Sequence, residues 1–225
     1  AAGCSLEELC EPLELAAFKK KHPGAIVISY INCGAGVKEL SDIICTSGNA
    51  LDIVRQIPAD KEIIFCPDQN LGSWIIEQTG RDMILWDGYC RAHVQYNAEE
   101  LLEAKKAFGG APLVCHPECP KAVRDVSDCV CSTEKMIKFC RENPSDKFII
   151  ATIVEMIHRL RREIPDKTFI SAPVLGKPAQ HCRDMLSNTP EKLLKCLETL
   201  EPRIELSAEV IERARKPIER MLEMS

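Results

Sequence analysis

Short apolar runs and longer amphipathic stretches alternate along almost the whole chain. Residues 25–32 (AIVISYIN) form a continuous branched run of the kind a strand buried on both faces needs. Residues 42–46 (DIICT) and 61–66 (KEIIFC) repeat it, and a fourth run ends at Trp86. Between these runs the pattern predicts helices over residues 5–21, near Val37, over 50–57, and through Trp74 and Ile76. Ser5 and Glu8 have the spacing of a capping box, with Ser5 as N-cap. Near the end, residues 188–200 read as a helix with Pro190 in its first turn. Residues 207–224 read as another, with Val210, Ile211, Ala214, Ile218, Met221 and Leu222 on one apolar face.

The pattern also repeats itself. At an offset of eighty-six residues Cys4 meets Cys90, Lys19-Lys20 meets Lys105-Lys106, and Gly24-Ala25 meets Gly110-Ala111. Cys33 meets Cys119, Ser41-Asp42 meets Ser127-Asp128, Cys45 meets Cys131, and Ile63-Ile64 meets Ile149-Ile150. So many identities at one unshifted offset mark two copies of one α/β unit. Strand–helix alternation in each copy implies parallel sheets with helices on both faces, a three-layer α/β/α arrangement. Each of Cys4, Cys90 and Cys182 precedes a helix that leads to the next unit. The expected division is therefore the end of a first α/β domain in 1–22, repeat one in 23–92 and repeat two in 93–187. Residues 188–225 are expected to be carboxyl-terminal helices that pack back on that first domain, most of which would lie ahead of residue 1.

Composition narrows the class without changing this picture. The 225 residues are 45% hydrophobic and 28% charged, enough apolar content for a sizeable core. A net charge of −5 argues against a general nucleic-acid surface, and no apolar run reaches the roughly 20 residues of a membrane helix. Thirteen cysteines in a chain of alternating strands and long helices suit a reducing, cytoplasmic setting better than a disulfide framework. Most of them, including Cys129, Cys131, Cys140 and Cys196, are expected to be core residues. Cys115 and Cys119 flank a candidate site.

The repeat aligns polar positions as well. Tyr30 pairs with His116, Asn32 with Glu118, and Ser47 with Thr133, all beyond the carboxyl ends of strands, where open α/β sheets bind ligands. Ser47 and Thr133 suit either a helix N-cap or the binding of phosphate or carboxylate. His116 and Glu118 suit an acid–base pair or metal ligands, against the simpler reading of a structural histidine at a strand end. Cys4, Cys90 and Cys182 lack the paired short spacings of structural zinc, and three thiolates can hold a [4Fe–4S] cluster with one iron open.

The motifs HPEC (116–119), YIN (30–32), TSGNA (46–50), PDQNLG (67–72), WDGYCRAH (86–93) and CRDMLSNTPEKL (182–193) resemble the quinolinate synthase family along essentially the whole chain. That resemblance implies three pseudo-symmetric α/β domains around a [4Fe–4S] cluster, with Cys4, Cys90 and Cys182 as its ligands. It implies condensation of iminoaspartate with dihydroxyacetone phosphate to quinolinate, releasing phosphate and water, in NAD biosynthesis. An iminoaspartate-producing enzyme would act upstream. Tyr30, Asn32, Ser47, His116, Glu118 and Thr133 would line the substrate cavity. Glu118 would be the acid–base residue, assisted by His116 and Tyr30, with Ser47 and Thr133 holding phosphate or carboxylate groups. The alternative is a catalytically inactive α/β fragment that keeps only a cluster or phosphate site.

Overall fold

The computed structural model describes residues 3–177 and 179–225. In them lie two four-stranded, all-parallel sheets of the same topology. β1 (Ile26–Tyr30), β2 (Ile43–Cys45), β3 (Ile63–Cys66) and β4 (Ile84–Leu85) take the order β2-β1-β3-β4. β5 (Leu113–Cys115), β6 (Cys129–Val130), β7 (Lys147–Ala151) and β8 (Thr168–Ser171) take the order β6-β5-β7-β8. The helices repeat too. The helix ahead of the first sheet, Pro12–Lys21, and the one ahead of the second, Ala98–Ala107, coincide end to end at the eighty-six-residue offset.

The repeated identities have structural work to do. Asp42 Oδ2 accepts from the Val27 amide at 2.8 Å and from Lys19 Nζ at 3.4 Å. Asp128 Oδ2 accepts from the Leu113 amide and from Lys105 Nζ, each at 2.7 Å. Ser41 Oγ donates to the Val37 carbonyl at 2.7 Å, and Ser127 Oγ to the Val123 carbonyl at 2.8 Å. In each copy the aspartate thus pins the helix before the sheet to the start of the central strand.

Strand alternation builds a core on each face of each sheet. On β3, Ile63 and Phe65 join one cluster while Ile64 and Cys66 join the other. On β7, Ile149 and Ala151 face one side, and Phe148 and Ile150 the other. Burial on both faces explains the unbroken apolar runs in the sequence.

Several expectations need correction. The helix expected over residues 5–21 is two, α1 (Ser5–Glu8) and α2 (Pro12–Lys21), because proline has no N–H to continue a helix and is at home in a first turn. Ser5 is not the N-cap. That place belongs to Cys4, and the Ser5 amide instead donates to Asp184 Oδ2 at 3.0 Å. Cys196 is not a core residue: it lies on α11 (Pro190–Thr199), which buries none of its side chains and exposes Leu193, Leu194 and Leu197. Of the carboxyl-terminal helices, α12 (Ala208–Glu223) packs within the chain. It lies on β2 and on α3 (Ala35–Lys38) of the first repeat, burying Ala214, Pro217 and Met221. Among the described residues, no helix is long and apolar enough to cross a membrane.

Candidate active site

The loop that carries Cys90 is fastened to the loop after β3. Asp68 is the N-cap of α5 (Gln69–Thr79), and its Oδ1 accepts from the Leu71 amide at 2.8 Å. Its Oδ2 accepts from the Cys90 amide at 2.9 Å, and the Gln69 amide donates to the Gly88 carbonyl at 2.8 Å. Only glycine fits at residue 88, since a Cβ there would lie 2.3 Å from the Pro67 carbonyl oxygen. Gly88→Ala should therefore cost about 1–3 kcal/mol of stability and displace Cys90. A denaturant midpoint equal to the wild type's would show that the two loops have more freedom than this contact allows.

Cys4, Cys90 and Cys182 all line one cavity of about 590 Å³, together with Gln95, Gln180 and Asp184. Cys4 is the N-cap of α1 and Cys182 that of α10 (Arg183–Leu186), while Cys90 precedes a 3₁₀ turn at His93–Gln95. Burial raises the Cys4 and Cys90 thiols, Cys90 far more, and the charge of Glu118 adds to the effect. Amide donors oppose it, from Leu6 to Cys4 and from Ala92 and His93 to Cys90. Amides that favour the ionised thiol in an otherwise unfavourable setting suit thiolate ligands of a cationic group. All thirteen cysteines are free thiols. Among the described residues, the side chains with donor atoms all within 4.8 Å of one another are Cys90, His93 and Glu118. The three cysteines share a cavity wall without approaching that closely, which suits a polynuclear cluster better than a single ion.

Beside this cavity lies a buried carboxylate between two histidines. Glu118 Oε2 is 2.8 Å from His93 Nδ1 and 3.6 Å from His116 Nδ1, and the two imidazoles stack with centroids 4.9 Å apart. Burial alone would raise the Glu118 carboxyl, but the two histidines and the Tyr30 hydroxyl outweigh it and bring it to about 2. Burial lowers His116 to about 4, only partly offset by Glu118. At neutral pH the pair is therefore a carboxylate beside a neutral imidazole. Burial also holds the Tyr30 phenol well above its ordinary range, with the adjoining Glu118 carboxylate next in effect and Ser47 opposing. Asp68 goes the other way from Glu118, pushed up to about 8 by burial and by the charge of Glu118.

The cap reading of Ser47 and Thr133 falls to their neighbours. Asn49 is the N-cap residue of α4 (Ala50–Arg55), and its Oδ1 accepts from the Thr46 amide at 2.7 Å. Ser132 caps α8 (Thr133–Glu142), its Oγ accepting from the Lys135 amide at 3.5 Å. Lys135 Nζ then donates to the Gly48 carbonyl at 2.8 Å, joining the loop of Ser47 to the helix of Thr133. Tyr30, Ser47, His116 and Glu118 are thus brought together, and Cys4, Cys90 and Cys182 share the cavity. Asn32 stands half-buried two residues beyond β1.

Two side chains of this site carry no role in the sequence reading. His93 follows Cys90 by three, the spacing that brings two side chains to one side of a helical turn. Asp68 stands where an N-cap belongs, directly before α5. Both sit inside motifs quoted above, so the signal was there, but what they bond to was not.

Parallel α/β repeats that bring three thiols to one cavity and set a buried carboxylate between two histidines beside it define an enzyme-type site. The family model described as quinolinate synthetase A protein (NadA) matches residues 1–223. The chain is similar to the quinolinate synthase of Synechococcus sp. (strain ATCC 27144 / PCC 6301 / SAUG 1402/1), 46% identical over 227 residues that span 100% of this chain and 71% of that protein. It is 44% identical to the quinolinate synthase of Prochlorococcus marinus (strain MIT 9303) over 99% of this chain and 67% of that protein. The quinolinate synthase of Trichormus variabilis (strain ATCC 29413 / PCC 7937) is also 44% identical, over 100% of this chain and 69% of that protein. The chain belongs to the quinolinate synthetase A family, a family of enzymes, and spans about 70% of the length of these relatives.

Proposed function

We propose that this chain carries the quinolinate-forming site of its family. The reaction is condensation of iminoaspartate with dihydroxyacetone phosphate, with loss of phosphate and water, in the synthesis of NAD. An enzyme that makes iminoaspartate acts upstream. The observation that supports this reading best is the shared cavity of Cys4, Cys90 and Cys182, from three separate segments, adjoining the Glu118–histidine set.

In this reading Cys4, Cys90 and Cys182 hold a [4Fe–4S] cluster, and residues 1–22 close one repeat of three. When bound, the cluster supplies a Lewis acid at its open iron, suited to polarising a hydroxyl or carbonyl during water loss. Glu118, ionised, takes a proton from carbon or nitrogen of the condensing pair. His116, neutral, and Tyr30 hold the same substrate oxygen or nitrogen by hydrogen bonds, and Asn32 adds amide contacts. Ser47 and Thr133 hold phosphate or carboxylate, helped by the amides at the start of α4 and α8.

Anaerobic reconstitution with iron and sulfide tests the cluster. The wild-type chain should take up about four irons, Cys90→Ala should take up almost none, and Cys140→Ala should match the wild type. Cys140 makes the informative control because it is fully buried in the core of the second repeat. A colourless, iron-free wild-type protein would remove the cluster from the proposal. Quinolinate formation from both substrates by the reconstituted natural polypeptide tests the reaction. Iron uptake without any quinolinate would leave the reading of an inactive cluster-binding protein in its place.

A further inference from the structure

We propose that the cluster-free chain binds one divalent ion of the zinc class at Cys90 Sγ, His93 Nδ1 and a Glu118 carboxylate oxygen, and that this ion and the iron–sulfur cluster exclude each other. Among the described residues, these three side chains have donor atoms that all lie within 4.8 Å of one another. Cys90 and His93 belong to the connection between β4 and β5, and Glu118 follows β5. Nδ1 is the shared neighbour, 3.2 Å from Sγ and 2.8 Å from Oε2. A tetrahedral zinc ion with ordinary bond lengths holds such pairs about 3.5 Å (S···N) and about 3.4 Å (N···O) apart. Opening the two contacts by roughly 0.3 and 0.6 Å makes room for it.

The donor set selects the ion. A thiolate, an imidazole and a carboxylate suit zinc and its neighbours, whereas magnesium and calcium take oxygen ligands. The charges match too, since thiolate and carboxylate together neutralise a dication. Glu118 is already ionised, with its carboxyl held at about 2. The amides of Ala92 and His93 favour the Cys90 thiolate, and a bound cation completes the ionisation of a coordinating thiol. The other ring nitrogen, Nε2, lies 2.8 Å from Thr152 Oγ1, the outer contact a metal-bound imidazole ordinarily makes. His93 and Glu118 are less than a tenth exposed, so the way in is past Cys90, which lines the 590 Å³ cavity. Water from that cavity fills the fourth position. The exclusion follows from Cys90, the side chain that both metal groups use, and this half of the inference rests on the proposed cluster. An ion there takes the sulfur the cluster needs and withdraws Glu118 from proton transfer.

Zinc itself is the probe, added as one equivalent to the reduced, iron-free wild-type chain. X-ray absorption at the zinc edge should show one sulfur among about four nearest neighbours, the rest nitrogen and oxygen. Two or three sulfurs would place the ion on the other cysteines and overturn the proposal without recourse to any variant. In calorimetric titrations Glu118→Gln and His93→Ala should each weaken zinc binding at least about 10²-fold, the upper end of what losing an outer contact alone costs. Cys4→Ser and Cys182→Ser should bind zinc as the wild type does. Undiminished affinity in Glu118→Gln, or equal losses in Cys4→Ser and Glu118→Gln, refutes the site. For the exclusion, the zinc-loaded chain should take up almost no iron and sulfide until a chelator removes the zinc. Full iron uptake with the zinc still bound refutes it. A wild-type chain that takes up no iron even without zinc would count against the proposed cluster, with the absorption spectrum still deciding the zinc site.

Discussion

Replacing Glu118 by glutamine should cut quinolinate formation by about 10²–10⁴-fold and leave iron uptake at the wild-type level. The amide matches the carboxyl in size, so the 3%-exposed pocket is neither emptied nor overfilled. What changes is that glutamine cannot receive a proton. His116 does not compensate. Burial already lowers His116 to about 4, and the Glu118 charge works against that shift, so removing the charge lowers His116 further. His116 stays neutral at pH 7 in both proteins, and the loss is not a change in its protonation. The same sign argument applies to Asp68, held up partly by Glu118, which should fall when that charge goes. Quinolinate measured at saturating substrates, beside iron content, separates chemistry from cluster assembly. A variant keeping more than a tenth of the wild-type rate would exclude Glu118 as the base.

Much of the architecture was legible because the chain writes it twice. An offset found in side chains alone returns as matched strands, matched helices and matched Asp42 and Asp128 hydrogen bonds. Apolar runs located the strands because burial on both faces leaves little place for polar residues, and the one inside β1, Ser29, is buried with its hydroxyl bonded to Ser41 at 2.6 Å. Local punctuation was less dependable. Pro12 divides a helix the periodicity joined, and the capping-box spacing at Ser5 is overruled by a tertiary bond to Asp184, 179 residues away. At the site, Tyr30, Ser47, His116 and Glu118 were found by alignment of the repeats. His93 and Asp68 were not, because their partners, Glu118 and Cys90, lie outside the motif that holds each; Asp68 also aligns with the apolar Val154 in the second repeat. Cys196 failed for the opposite reason: helical periodicity says which face is apolar, not whether anything covers it.

Arg124→Lys should destabilise the protein by about 2–4 kcal/mol although it keeps the charge. Arg124 lies on α7 (Lys121–Val126) of the second repeat, is 4% exposed, and reaches α5 of the first. Its Nη1 donates to the carbonyls of Cys119 at 2.8 Å and Asn70 at 3.0 Å, and its Nη2 to Ser73 Oγ at 2.8 Å and Glu77 Oε1 at 3.0 Å. The first repeat already contains the lysine version of this residue. Lys38 occupies the equivalent position, and its Nζ bonds the carbonyl of Cys33, the equivalent of Cys119. A lysine at 124 can therefore keep the local bond, but a single ammonium cannot span two carbonyls, a hydroxyl and a carboxylate as the planar fork does. The loss falls on the joint between the repeats. Cys119 adjoins Glu118, and Asn70 lies in the first turn of α5, whose cap Asp68 holds the Cys90 amide. Loosening that joint should therefore separate the proposed base from a proposed cluster ligand before either repeat unfolds. Glu77→Gln is the matched control: its side chain is 30% exposed and Lys121 lies nearby at 3.6 Å, so its cost should be about 1 kcal/mol or less. Denaturant midpoints for the two variants test the ordering. Equal midpoints for Arg124→Lys and wild type would mean that the repeats are held by apolar packing and that the fork adds nothing.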